Sequence, residues 1–472
     1  MQSVNWASRA LLTLTLLPTV RAFAGLGAPI HRIAHAQGRP LPLACTMSAA
    51  AAGATTVCRP ETFQSGGCQP GVYARPGSAL ADSVLPSIDG LASWAEWYSC
   101  PRFLRNGHVH TIAASQLRKT AGVCYARTLL PTPDGGTVAL DMLQSVLPDD
   151  QGPEACEFVD DDGSAASSDK DFLLLVAGLG GGSDDSYVRS LGAAAMLSGH
   201  WQVGVVNMRG CGAAPVTSPR FFSAFRGATD DVRLAIAHVR SRLHPGAKVA
   251  VVGWSNGATI LNNCLAEQAT THAGGRAEYG ADAGVTLACP LNMPLASGNL
   301  KRWFHANVYD RAIARSLSSK IAEWQHLFRD GSGASRPVAC WEGLGERTFV
   351  ADESVLTGRL RTIRGIDEAI TRRCFGFASV DEYYAHASSD QRLAAVDVPL
   401  LVINAADDPI AYLGPAGGEL RLPDALQTND KLALVLTAHG GHLGWCDAHT
   451  PWAGSGWIEN VTLEFLRQAV RL

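Results

Sequence analysis

Gly253-Trp254-Ser255-Asn256-Gly257 sets a serine between two glycines, directly after the apolar run Val249 to Val252 and directly before Ala258-Thr259-Ile260-Leu261. Where a strand turns into a helix within one residue, flanking side chains must be absent, and the strained turn lifts the serine hydroxyl clear of the sheet. Gly253 and Gly257 supply the missing side chains, and the helix start supplies backbone N–H groups. The bare pattern is weak, arising by chance in roughly a third of chains this long and glycine-rich. The strand before it and the helix after it give it weight, and the chemistry it implies is nucleophilic attack by Ser255.

A serine hydroxyl attacks poorly until a base takes its proton, and the base needs an orienting carboxylate. On a sheet carrying such an elbow, the partners follow in the order Ser, acid, His, each in a loop after a late strand. Leu400 to Asn404 runs into Ala405-Ala406-Asp407-Asp408-Pro409, and Leu432 to Thr437 runs into Ala438-His439-Gly440-Gly441-His442-Leu443-Gly444. Asp407 and Asp408 both qualify as the acid. His442 is preferred to His439 as the base because glycines surround it and let its loop curl toward Ser255. A metal reading of these histidines, or of His108-Val109-His110, lacks acid or thiolate partners at usable spacing.

The developing oxyanion needs two fixed N–H donors. One is expected from the backbone of Asn256, the residue after the nucleophile. The other is expected from Ala177-Gly178-Leu179-Gly180-Gly181-Gly182, after the run Phe172 to Val176, with Leu179 the best candidate. This glycine run lacks the Lys-Ser/Thr ending of a phosphate-binding loop. No cofactor and no metal are expected.

Positioning these groups requires a sheet with its carboxyl edge on one side. Phe172–Val176, Val203–Asn207, Val249–Gly253, Val285–Ala288, Leu400–Asn404 and Leu432–Thr437 are short, continuous apolar runs that suit parallel strands covered on both faces. Helical segments alternate with them: Asp230 to Leu243, with Val232, Ile236 and Val239 on one face, Asn256 to Glu267, and Trp457 to Val470. The alternation predicts a doubly wound α/β fold, a mostly parallel central sheet with helices on both faces. Residues 91–291 form its first part and 392–472 its last. Between them residues 292–391 lack strand pattern and predict a helical cap insertion, whose Trp303, Phe304, Phe375 and Phe377 would suit acyl chains. The acidic stretch Pro148 to Asp171 reads as a solvated loop, and no internal repeat is visible.

At 472 residues, with 47% apolar and 17% charged residues, the chain can bury one large core, and a net charge of −4 gives no basic surplus for nucleic acid. The twelve cysteines are scattered without CxxC pairs, which predicts mostly buried thiols. Ala10 to Val20 is an apolar run too short to span a bilayer but right for a signal-peptide core, and no acidic residue precedes Glu61. Residues 1–60 therefore read as a targeting presequence or a disordered segment, and 61–90 as a linker. The composition fits a two-part transit peptide into a plastid; a mitochondrial presequence, the secretory pathway and membrane association are the alternatives.

Several motifs together resemble the AB hydrolase 4 family of the α/β-hydrolase superfamily, over roughly Pro101 to Leu472. They are Arg105-Asn106-Gly107-His108 ahead of the core, Thr132-Pro133-Asp134-Gly135-Gly136 in the first strands, Asn207-Met208-Arg209-Gly210-Cys211-Gly212, Thr217-Ser218-Pro219-Arg220 and the elbow. In the cap, Ile366-Asp367-Glu368-Ala369-Ile370-Thr371, Phe375-Gly376-Phe377 and Asp381-Glu382-Tyr383-Tyr384 are the most characteristic. The resemblance implies an α/β-hydrolase fold and a triad of Ser255, Asp408 and His442; Asp408 is preferred because the family's acid stands just before a residue and an apolar pair, here Pro409 and Ile410. It also implies hydrolysis of lipid or short-chain carboxylic esters through an acyl-enzyme. An acyltransferase on the same triad, another hydrolase such as an amidase or thioesterase, and a catalytically silent receptor or scaffold are the rival readings. Expected partners are small-molecule or lipid esters, with peripheral membrane contact and no nucleic acid. Ala177, Asn256 and Thr259 depart from the residues usual in the family.

Overall fold

The computed structural model describes residues 57–58, 69–91, 98–119, 121–148, 159–160, 169–271, 280–341, 347–414, 420–447 and 456–472. The presequence expectation for residues 1–60 lies outside these, apart from Val57 and Cys58, and so do most of the acidic residues of the 148–171 loop.

Six strands form the parallel heart of the sheet: β6 (Asp171–Val176), β7 (Trp201–Asn207), β8 (Val249–Trp254), β9 (Ala283–Leu287), β12 (Leu400–Ala405) and β13 (Leu432–Thr437). The hairpin β3 (Val123–Pro131) and β4 (Thr137–Val146) pairs antiparallel along β7. Three short strands complete the sheet: β1 (Val57–Cys58), β2 (Gly71–Ala74) and β5 (Val159–Asp160). The order is β1-β2-β13-β12-β9-β8-β6-β7-β4-β3-β5.

Side-chain alternation explains the continuous apolar runs. Leu173 and Leu175 of β6 enter the core on one face, while Phe172, Leu174 and Val176 enter the core on the other. Both faces are dry, so a polar residue there needs a buried hydrogen-bond partner, as Asn404 has in Cys289. Burying each such aliphatic side chain stabilises the fold by roughly 1.5–3 kcal/mol. The helix Trp457–Ala469 covers one face with Ile458, Val461, Phe465 and Leu466, and the helix Ala228–Arg240 covers the other with Val232, Ile236 and Val239.

Strand β6 lies between β7 and β8, so the chain leaves it toward one side and later returns on the other. Such a reversal opens a crevice at the carboxyl ends of the two strands, the place where α/β sheets bind their ligands. The loop after β6 and the turn after β8 both face it.

The sequence expectations need correction in three places. Residues 61–90 are not all linker: Gly71–Ala74 is buried and pairs antiparallel with β13, and Leu80, Val84, Leu85 and Ile88 pack into the core. A four-residue strand is too short to show a period, so only its burial reveals it. Thr132 to Gly136 form the turn of the β3–β4 hairpin rather than strand, with Gly135 at φ +79° and the Thr132 hydroxyl donating to Asp134 at 2.6 Å. The cap, inserted between β9 and β12, is not wholly helical. It carries Met293–Leu300, Arg311–Glu323 and Val380–Ala387 as helices, together with an antiparallel pair, β10 (Pro337–Ala339) and β11 (Thr348–Val350). Each of these strands buries one central residue, Val338 or Phe349, which leaves no alternation to read.

Among the described residues eight cysteines are free and buried, and Cys124 is disulfide-bonded. No helix among the described residues is long and apolar enough to cross a membrane.

Candidate active site

Strand β8 delivers its last residue, Trp254, into a turn where Ser255 takes φ +52°, a left-handed conformation. For a residue with a side chain, such a backbone costs about 1–3 kcal/mol and persists only where the surroundings enforce it. Here the Ser255 N–H donates to Leu287 O of the neighbouring strand at 2.9 Å, and the helix Asn256–Thr271 starts at the next residue. A side chain at Gly257 would stand 2.3 Å from the carbonyl oxygens of Val176 and Ala177, and one at Gly253 would stand 2.6 Å from Gly257 O. Both positions therefore exclude any residue but glycine.

The structure brings Ser255, His442 and Asp408 together. Ser255 Oγ lies 2.9 Å from His442 Nε2, and His442 Nδ1 lies 2.8 and 3.1 Å from the two Asp408 oxygens. Asp408 Oδ1 also accepts the N–H groups of Ile410 at 2.7 Å and Ala411 at 2.8 Å, and its side chain is wholly buried. Three donors hold the carboxylate in one orientation. The His442 N–H donates to Thr111 Oγ1 at 2.8 Å, and the Thr111 hydroxyl donates to Gly107 O at 2.7 Å. A side chain at Gly441 would stand 2.7 Å from both Gly107 O and Thr111 Oγ1, so glycine lets the histidine loop press against this helix.

The other two candidates pair with each other. His439 Nδ1 lies 3.3 Å from Asp407 Oδ2, and Asp407 Oδ1 accepts the Gly441 N–H at 2.9 Å. Burial pushes the Asp407 carboxyl up from its ordinary range. His108 and His110 take unrelated places: His108 Nδ1 contacts the Tyr309 hydroxyl at 2.9 Å, and buried His110 accepts the Cys446 N–H at 3.0 Å. Among the described residues no group of three His, Cys, Asp or Glu gathers as a ligand set.

The glycine run after β6 closes on the nucleophile, since a side chain at Gly178 would stand 3.4 Å from Ser255 Cβ. The Gly178 N–H is occupied by the Tyr187 hydroxyl at 3.1 Å, which in turn donates to Asp185 at 2.8 Å. Asp185 also accepts the Gly182 N–H at 3.2 Å, and Lys320 Nζ donates to Gly180 O at 2.9 Å. Burial raises the pKa of both Asp185 and Tyr187. Leu179 therefore sits in a loop pinned on either side, and with Asn256 it lines the cavity that contains Ser255 and His442. Asn256 opens its helix, where an N–H has no intrahelical acceptor.

That cavity measures about 730 Å³ and is mainly apolar, with Leu179, Met293, Leu300, Ile313, Ile410 and Leu443 in its wall. The aromatic residues expected to line it do not. Phe375 and Phe377 are buried within the cap core, whereas Trp303 and Phe304 are 81% and 38% exposed. Aliphatic cap residues take the lining role together with Tyr309 and Tyr384, while Phe377 packs on Tyr383 at 5.4 Å between centroids. Sequence reasoning also missed Thr111, Tyr187 and Asp185. Thr111 follows Arg105-Asn106-Gly107-His108 by three residues, and that motif was its only signal.

The embryogenesis-associated protein EMB8 of Picea glauca is 33% identical over 417 residues, covering 85% of this chain and 81% of the relative. The chain belongs to the α/β-hydrolase superfamily. Within it the chain stands with the embryogenesis-associated and abhydrolase-domain proteins. A monoacylglycerol lipase of Saccharomyces cerevisiae is 25% identical, over 82% of this chain and 81% of the relative. Phospholipase ABHD3 of Mus musculus is 27% identical, over 70% of this chain and 68% of the relative. No family model matches the chain. A solved esterase of Pyrococcus furiosus overlays this α/β-hydrolase with a TM-score of 0.42 at 13% identity, over 73% of this chain and 91% of that one.

Proposed function

We propose that the chain is a serine carboxylic ester hydrolase acting on lipid or short-chain acyl esters. His442 takes the Ser255 proton as Oγ attacks the ester carbonyl, and Asp408 stabilises the imidazolium that forms. The N–H groups of Leu179 and Asn256 receive the oxyanion, a contribution worth about 10²–10³ in rate per donor. His442 then protonates the leaving alcohol, and water, activated by the same imidazole, releases the acid from the acyl-enzyme. No step calls for a cofactor.

The single observation that carries this reading is the 2.9 Å contact between Ser255 Oγ and His442 Nε2 within a mainly apolar cavity of about 730 Å³. Sites for small ligands span about 300–1,000 Å³, and an apolar wall suits an acyl chain. Relatives named as lipase and phospholipase support an ester substrate. The test is labelling by a fluorophosphonate probe, together with turnover of p-nitrophenyl esters and monoacylglycerols. Ser255→Ala abolishes labelling and lowers kcat by about 10⁴–10⁶-fold. Undiminished turnover in that variant would remove the nucleophile assignment.

A second reading has one observation in its favour. A relative from Saccharomyces cerevisiae, 30% identical over 63% of this chain and 62% of its own length, is named a medium-chain fatty acid ethyl ester synthase/esterase. In that reading an alcohol replaces water at the acyl-enzyme. Product analysis with ethanol as a competing acceptor separates the two.

A further inference from the structure

Beside the cavity lies a surface that the proposed chemistry does not use. The stretch Lys301-Arg302-Trp303-Phe304 is exposed throughout, and Trp303 at 81% exposure is the most exposed large apolar residue among those described. Phe304 packs edge-on against His108 at 4.7 Å between ring centroids, which joins this stretch to the helix Gly107–Leu117 and its exposed Val109. Each of the two contributes solvent-exposed residues to the cavity wall, Lys301 from one and Ser115 from the other. The apolar surface thus adjoins the edge at which the cavity meets water.

The two stretches that form it carry charge of one sign. Residues 100–119 carry Arg102, Arg105, Arg118 and Lys119, residues 291–309 carry Lys301 and Arg302, and neither stretch contains Asp or Glu, in a chain whose net charge is −4. The Arg302 guanidinium lies close enough to push the pKa of both His108 and His305 down, after burial. Asp407, which also faces His108, is occupied by His439 and the Gly441 amide.

We propose that this face docks the enzyme on an anionic lipid bilayer, with Trp303 and Phe304 entering the interface, Lys301 and Arg302 meeting the headgroups, and the cavity mouth held at the membrane. Aromatic rings flanked by cations partition to the boundary between headgroup and acyl chain, and each Lys or Arg near an anionic surface strengthens binding. A symmetric contact between two copies is disfavoured, because a two-fold axis would set these cations against their own images. The proposal rests on the reading of the cavity as an ester site, since it explains why an apolar pocket should open beside a lipid-seeking edge.

The test is cosedimentation of the full chain with phosphatidylcholine vesicles and with vesicles containing about a third phosphatidylserine, alongside hydrolysis of soluble p-nitrophenyl acetate. Wild type binds the anionic vesicles and not the neutral ones. Trp303→Asp weakens that binding more than tenfold and Arg302→Gln about fivefold, while soluble-ester turnover stays within twofold and shows that both variants are folded. Vesicle binding by wild type that either substitution leaves unchanged overturns the proposal. So does absence of binding to either vesicle. A change in oligomeric state on Trp303→Asp without vesicle binding assigns the face to a second copy or to another part of the chain, and also overturns it. If Ser255→Ala binds vesicles normally but wild type hydrolyses no ester, the docking surface stands and the ester reading alone fails.

Discussion

Two Asp–His pairs stand side by side where β12 and β13 end, and only one of them reaches the Ser255 hydroxyl. Asp408–His442 and Asp407–His439 use the same residue types from the same two loops, at 2.8 and 3.3 Å respectively. The Asp408 side chain is fully buried and receives two amides besides the imidazole, and His442 points its second nitrogen at Ser255. The outer pair is partly exposed, 33% for His439 and 20% for Asp407, and Asp407 spends one oxygen on the Gly441 N–H, one residue before His442. Residue type and loop position nominate both pairs. Amide donors and the direction of the imidazole select between them, and the pair not selected braces the loop of the other.

The comparison breaks if the two carboxylates prove interchangeable. Asp408→Asn is expected to lower kcat on p-nitrophenyl butyrate by about 10³–10⁴-fold, through loss of imidazole orientation and of imidazolium stabilisation. Asp407→Asn, measured in parallel, should lower it by about tenfold or less, the scale of a lost supporting hydrogen bond. The reverse ranking would exchange the roles of the pairs.

Thr111 offers a finer test. Thr111→Val deprives the His442 backbone N–H of its acceptor and sets a methyl group in the cavity wall in place of the hydroxyl, and should reduce kcat about tenfold while KM holds within twofold. An equal change in both constants would instead place Thr111 in substrate binding.

A further effect is on stability rather than rate and reaches the outer pair through His110. Burial, with Arg118 and His439 adding to it, pulls the His110 pKa from 6.5 to about 4. A base whose folded pKa is depressed contributes stability above its unfolded pKa and loses it as pH falls toward the folded value. Wild type should therefore lose roughly 2 kcal/mol between pH 7 and pH 4.5 from this group. Urea unfolding of His110→Gln at the two pH values should show a correspondingly smaller loss, and an unchanged slope would exclude His110 as the source.

Much of this arrangement is legible in the sequence because it depends on the main chain. The runs ending at Val176, Trp254, Ala405 and Thr437 are apolar without alternation, and each is followed by glycine, serine or aspartate at the rim, so strands and site residues can be located together. What stays hidden is what depends on side-chain contacts between distant segments. Thr111 reaches His442 across 331 residues, and Tyr187 fixes Gly178 with no motif to announce it. The cap aromatics mislead for the same reason, since composition cannot tell whether Phe375 faces a ligand or its neighbours. Strand Gly71–Ala74 is lost because four residues give no period.

The close approach of Gly257 to the Val176 and Ala177 carbonyls has a consequence for how this protein can change. Main chain abuts main chain there, so the interval between the Ser255 turn and the glycine-rich loop after β6 is set without any side chain in between. Mutations that reshape the surrounding wall can retune substrate preference freely, while the reaction centre keeps its spacing through each exchange.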